Sequence, residues 1–284
     1  MKQGISILQF GRNNVLVSIA ISFIFVLMLL AYAGPFMMSL APYETSKSLL
    51  NSPTFFSKHS SFHLGTDDLG RDIQSRLIYG ARSSLSIGLA VVLIALSIGT
   101  TLGLIAGVYG GWVDRVIVRC NDILMSLPST LLAIVVVAVM GGGLTNAMFA
   151  VTIVMIPRFI RVIRAVAKQE VKKQYVQAAY TFGYSKFRIM WCEVLPNCWA
   201  PMIVQATLGL SDAILDIAAL GFLGLGAKPP TAEWGAMLSD ARQFIETAPY
   251  LAIMPGLCIF LTVLSFNLLG DYLRDLLDPK MKRK

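Results

Sequence analysis

The sequence predicts an all-α membrane protein with six transmembrane helices and both termini on the cytoplasmic side. Three observations carry this. Of 284 residues, 56% are hydrophobic and only 14% charged, with a mean hydropathy of +0.68. A soluble domain has about 45–50% apolar and about 25% charged residues. Long stretches without charge recur, each at least as long as the about 20 residues a span needs. The net charge of +8 divides unevenly once those stretches are placed across a bilayer.

The first uncharged stretch covers residues 13–43, between Arg12 and Glu44. Lys2, Arg12 and Ala31-Tyr32-Ala33 imitate a signal peptide, but the apolar run continues through Pro35 to Leu40, so it reads as a retained span. The loop that follows reads as irregular in its serine-rich first half. Its second half, from Asp67 to Arg82, reads as helical, with Thr66 as N-cap and Asp67 and Asp68 in the first turn. Residues 83–113 form the second stretch. Gly99, Gly103 and Gly107, spaced by four, predict close helix packing there, as do Gly221 and Gly224 further on.

The third stretch, residues 123–157, is too long for one span. As a single helix it would measure about 52 Å against a core of about 30 Å. Gly141-Gly142-Gly143 divides it into helices over roughly 124–140 and 144–163. Pro128 is expected to kink the first. Arg158 and Arg161 are expected to snorkel from the second to the interface. Residues 200–227 and 247–270 supply the last two spans.

With six spans and an inside N-terminus, the inside segments hold 17 Lys and Arg against 7 Asp and Glu. The outside segments hold 7 of each, and the spans hold only Asp212 and Asp216. This obeys the positive-inside rule, and removing the glycine break would violate it. The organisation is then an N-terminal segment over 1–45, an extracytoplasmic loop over 46–84, a core over 85–275 and a basic tail over 276–284. A cytoplasmic loop over 165–199 lies within that core. The charge sits at the bilayer faces, so nucleic acid is not an expected partner. Cys120, Cys192, Cys198 and Cys258 contain no C-x-x-C pair and suggest neither a disulfide framework nor a metal site. No G-x-x-x-x-G-K-[ST] phosphate loop and no catalytic constellation is present. His59 and His63, four apart in the outer loop, read as incidental.

Residues 175–197, YVQAAYTFGYSKFRIMWCEVLPN, form the most informative inside segment. They read as two short helices with Gly183 at the turn. Ala178 and Ala179 permit close approach of another protein, and Pro196 ends the second helix before re-entry. This segment resembles the EAA loop of ABC-importer permeases, E-A-A-x3-G-x9-I-x-L-P. Ala178, Ala179, Gly183, Leu195 and Pro196 match, Gln177 replaces the usual Glu, and Glu193 stands at the isoleucine position. Three further blocks are similar to permeases of the dipeptide, oligopeptide and nickel family. They are His63-Leu64-Gly65-Thr66-Asp67-Asp68-Leu69-Gly70-Arg71-Asp72 with its continuation to Arg82, Ala218 to Asp240 with Glu233-Trp234-Gly235, and Asn267 to Pro279. The likeness is strongest to the C-type subunit of a dipeptide importer.

The resemblance implies a type I ABC-importer permease fold in a bacterial cytoplasmic (inner) membrane. It implies a homologous B-type permease, two ABC ATPases docked on coupling loops and an extracytoplasmic peptide-binding protein. ATP and Mg would be bound by those ATPases, and this chain would carry no cofactor and no enzyme activity. Its coupling residues would be Gln177, Ala178, Ala179, Gly183, Leu195 and Pro196. The same machine with nickel, longer or antimicrobial peptides, or haem as cargo is the alternative, ahead of a stand-alone secondary transporter or channel. Asp212 and Asp216, one turn apart within a span, are candidates for the translocation path or for pairing with a neighbouring helix.

Overall fold

The computed structural model describes residues 15–37, 43–44 and 64–277, the side chain of Met37 aside. The readings of Lys2, Arg12, His59, His63, the serine-rich loop and the tail from Lys280 to Lys284 lie outside them. Among the described residues regular structure is helical, apart from one bridge between Thr66 and Asp72. The helices are α1 (Val15–Met37), α2 (Ile73–Tyr109), α3 (Gly111–Met125), α4 (Ser129–Met140), α5 (Leu144–Glu170) and α6 (Gln174–Thr181). They continue with α7 (Lys186–Phe222), α8 (Trp234–Ala241) and α9 (Tyr250–Leu277). Four of these, α1, α2, α7 and α9, are long and apolar enough to cross a bilayer, and α3 with α4 makes a fifth if counted together. With α5, whose 27 residues extend about 40 Å, this is compatible with six spans.

α2 starts later than the sequence suggests. Asp72, not Thr66, caps it, accepting from the Ser75 N–H at 2.8 Å and the Ser75 hydroxyl at 2.6 Å. Asp67 instead accepts from the N–H groups of Leu69 and Arg71, closing a tight loop that Gly70 enters at φ 70°. That left-handed residue keeps residues 66–70 from joining the helix.

The glycine spacing in α2 does what close packing requires. A Cβ on Gly99, Gly103 or Gly107 would collide with Phe159, Ile163 or Ala167 of α5, respectively. The two helices therefore run in near backbone contact. Around this seam Val91, Val151, Met155, Phe159, Ala213 and Ile217 form a buried core from α2, α5 and α7. Gly221 likewise meets Gly235, but Gly224 lies beyond α7 at φ 78° with nothing against it, so it is a turn residue.

The glycine break is present: Gly141 and Gly143 have φ of 88° and 150°. Asn146 secures it by donating to the carbonyls of Met140 and Gly141, both at 2.9 Å. The helix over 124–140 is not continuous, however. It breaks by 88° between α3 and α4, because Pro128 lacks an N–H and pushes Leu127 away from helical geometry. α4 alone has 12 residues, about 18 Å, well short of a bilayer.

α3 is fastened by charge. Asp114 pairs with Arg164 at 2.5 Å and Lys168 at 2.6 Å, and Asp122 lies 3.9 Å from Arg161. Arg161 therefore reaches toward a carboxylate of α3 instead of simply snorkelling. The hydrogen bond from Arg164 holds the Asp114 carboxyl down at about 2, against burial, with Lys168 assisting. A depressed folded pKa stabilises above the ordinary value of 3.8, and the benefit fades as pH falls through about 2. Asp114→Asn is expected to destabilise the detergent-solubilised protein by about 2 kcal/mol near pH 6. That deficit relative to wild type should shrink in thermal melts taken toward pH 2.

Candidate coupling and translocation sites

The segment after α5 folds back on itself as a compact knob. Glu170, buried at the end of α5, accepts from Lys173 Nζ at 2.6 Å and from the Tyr175 hydroxyl at 2.7 Å. Burial first, then Glu170, raises the Tyr175 phenol well above its ordinary value, so it remains a donor. The α5–α6 corner is thereby fixed.

α6 buries Val176 and Ala179 against Ile189, Val194 and Cys198 of α7, Ile163 and Ala167 of α5, and Leu104 of α2. The two alanines thus separate in role. Ala178 is exposed, as a contact surface requires, whereas Ala179 packs inward. Gln177 is exposed, and its Nε2 donates to the Val171 carbonyl at 2.7 Å. A glutamate could not donate there, so glutamine at this position has a local use. Gly183 makes the turn at φ 80°, with the Tyr184 N–H donating to the Ala179 carbonyl at 3.1 Å.

Pro196 does not end the returning helix. The run from Lys186 to Phe222 is continuous. It passes the proline by widening to a π-helical turn over Ile189–Val194 and tightening to a 3-10 turn over Leu195–Cys198. These turns absorb the missing donor and the bulk of the ring. Leu195 is half-buried and Pro196 exposed. The knob is therefore joined to the long helix without a loop.

Sequence reasoning missed the aromatics of this knob. Phe182 is 79% exposed and Phe187 63%. Phe187 lies against Trp191 with ring centroids 6.3 Å apart, and the Arg188 guanidinium stands 4.1 Å over the Tyr184 ring. Bulky rings beside Gly183 were the available signal.

At the opposite end, two of the three family-like blocks meet. Arg71 and Arg76 are buried between Asp67 and Asp240, with Arg71 Nε 2.6 Å from Asp67 and both guanidinium groups 3.7 Å from Asp240. Trp234 is buried and its Nε1 donates to the Leu77 carbonyl at 3.1 Å. Glu233 caps α8, accepting from the N–H groups of Gly235 and Ala236 at 2.8 Å and from the Ser84 hydroxyl at 3.1 Å. Burial raises the Glu233 carboxyl, and those donors oppose the rise. The third block lies elsewhere: Gly270 packs on Leu208.

Asp212 is paired. Its Oδ2 lies 2.5 Å from Arg158 Nη1, with the two side chains 45% and 39% exposed. Arg158 therefore reaches a partner inside the bundle instead of snorkelling. Asp216 is half-buried one turn along α7. One helical turn from Arg158 and Asp212, at Val162 and Leu208, begins an open cavity of about 540 Å³ lined by α5, α7 and α9 at the end that carries the knob; Arg158, Asp212 and Asp216 themselves are not in its lining.

Comparison with known proteins shows the family and the fold. The family described as "Binding-protein-dependent transport system inner membrane component" matches residues 99–283. The dipeptide transport system permease protein DppC of Haemophilus influenzae is 46% identical over 93% of this chain and 90% of its own. The di/tripeptide transport system permease protein DppC of Pseudomonas aeruginosa is 49% identical over 90% of this chain and 86% of its own. Among solved structures, an inward-facing MetNI methionine ABC transporter chain superposes with a TM-score of 0.60 at 17% identity, covering 72% of this chain and 98% of that one. At that identity the likeness speaks for the fold.

Proposed function

The chain belongs to the family of binding-protein-dependent transport system inner membrane components, and on that premise we propose that it is the C-type permease subunit of an ATP-driven importer of dipeptides and short peptides. The observation that carries the cargo is identity of 46% and 49% to dipeptide and di/tripeptide permeases along nearly the whole chain. The multi-pass helical architecture and the knob at one end support a subunit that moves solute, with no enzyme chemistry of its own.

In this reading the chain sits in a bacterial inner membrane with both termini inside. It pairs with a homologous B-type permease to enclose the path. Two ATPases, which bind ATP and Mg, dock on the paired coupling loops, and a peptide-binding protein delivers cargo to the outer face. Gln177, Ala178 and Gly183 present the docking surface. Ala179 and Leu195 seat it on the core, and Pro196 marks the stiff join to α7. Closure of the ATPases pushes on the knob. The continuous helix passes that motion to the path because no slack lies between them.

The test is reconstitution. Vesicles containing this chain, its partner permease and the ATPases, supplied with binding protein, should accumulate labelled dipeptide only with ATP. Accumulation by this chain alone without ATP would overturn the importer reading.

A further inference from the structure

The Arg158–Asp212 pair lies where an apolar surface is expected. Asp212 is 13 residues beyond Trp199, about 20 Å along the helix, so the pair lies well along the span from its knob end while both side chains stay partly exposed. Charged side chains this exposed are costly against acyl chains and belong on a water-filled cavity or on a partner subunit. The cavity that begins one turn away is the nearer answer. Its walls include Val162 and Leu208. Val162 is one turn beyond Arg158 on α5, and Leu208 is one turn before Asp212 on α7. The same strip of α7 carries Gln205 and Asn197 down the cavity wall, with Arg274 of α9 opposite. In the other direction it reaches Asp216, one helical turn beyond Asp212.

We propose that Arg158, Asp212 and Asp216 form a contact matched to a zwitterion on the peptide's path, with Arg158 receiving the carboxylate and the aspartates receiving the ammonium group. This rests on the dipeptide-import reading. A free dipeptide carries one charge of each sign at its ends. When the internal pair opens to it, one ion pair is exchanged for two, and the net charge of the site does not change. A neutral solute or a simple ion offers no such exchange and leaves the pair closed. Asp216 supplies the second carboxylate, so the ammonium group still finds an acceptor if Asp212 remains near Arg158.

The test uses the complete reconstituted importer and two labelled peptides, lysyl-alanine and glutamyl-alanine, taken up by the same vesicles. The ratio of their rates cancels differences in assembly. Arg158→Gln leaves two carboxylates and should raise the cationic-to-anionic ratio about tenfold, as expected for one charge-assisted contact. Asp212→Asn should lower it by a similar factor. Asp216→Asn, which leaves the Arg158–Asp212 bridge intact, should lower it too and serves if the other variants fail to assemble. Ratios within about twofold of wild type in every variant that assembles would overturn the contact and leave the importer reading standing. Absence of any peptide uptake by the unaltered importer would overturn the import reading itself.

Discussion

Arg76→Ala is expected to destabilise the permease by about 3–5 kcal/mol, the range for removing one partner of a buried ion pair. Arg76 is 3% exposed and lies between Asp67 at 3.5 Å and Asp240 at 3.7 Å. Arg71 shares both carboxylates. Alanine would leave Arg71 alone to balance two aspartates and would open space at the start of α2. The consequence extends beyond the pair, because Asp67 also organises the loop before α2 and Asp240 sits in α8. The outer ends of α2, α7 and α9 are joined through that cluster and through Trp234. Thermal melts in detergent should show the loss. A melt unchanged within error would mean that the charges are independently solvated. Arg76→Lys should recover part of the charge balance but little of the geometry, since an ammonium group lacks the fork that reaches two carboxylates.

Phe182→Ser combined with Phe187→Ser is expected to weaken ATPase association by about thirtyfold or more, the scale of a docking hot spot of about 2 kcal/mol. Peptide uptake should fall with it. Both rings are largely exposed, so their removal should change the melting of the isolated permease little. Exposed aromatics flanking a turn make a suitable anchor because they bury large apolar area with few rotatable bonds. Their cationic neighbours Lys186 and Arg188 suit an acidic rim on the partner. Co-purification of the ATPases with the double variant provides the measurement. Full retention of the ATPases would show that docking relies on Gln177 and Ala178 instead.

Several features are legible in the sequence because they depend on local composition. The apolar stretches, the Gly141–Gly143 break and the turn at Gly183 follow from side-chain transfer into lipid and from backbone freedom at glycine. The packing of α2 on α5 is legible as well, since glycine at every fourth position leaves a groove that another backbone can enter. Other expectations fail because a competing neighbour or a tertiary contact decides them. Thr66 is a chemically adequate cap, yet Asp67 folds the loop so that Asp72 is the residue at the helix start. Pro128 and Pro196 are both prolines near helix ends. The first marks a break of 88°, while the second is passed by a π-to-3-10 adjustment packed on α2 and α5. Nothing local distinguishes them.

The sequence by itself determined that this chain is a multi-pass helical membrane protein, and it is the source of the expected basic face and of the loop proposed to meet a cytoplasmic partner. Hydrophobic length and charge asymmetry are properties of short segments read against a bilayer, and they hold whatever the helices pack against. Only the tertiary structure decided that Arg158 reaches Asp212, that Ala179 turns inward while Ala178 faces out, and that Arg71 and Arg76 meet Asp240. Each is a relation between residues far apart in the chain or on opposite faces of one helix. Such pairings are set when apolar faces pack and bring particular charges within reach, a choice no single segment contains.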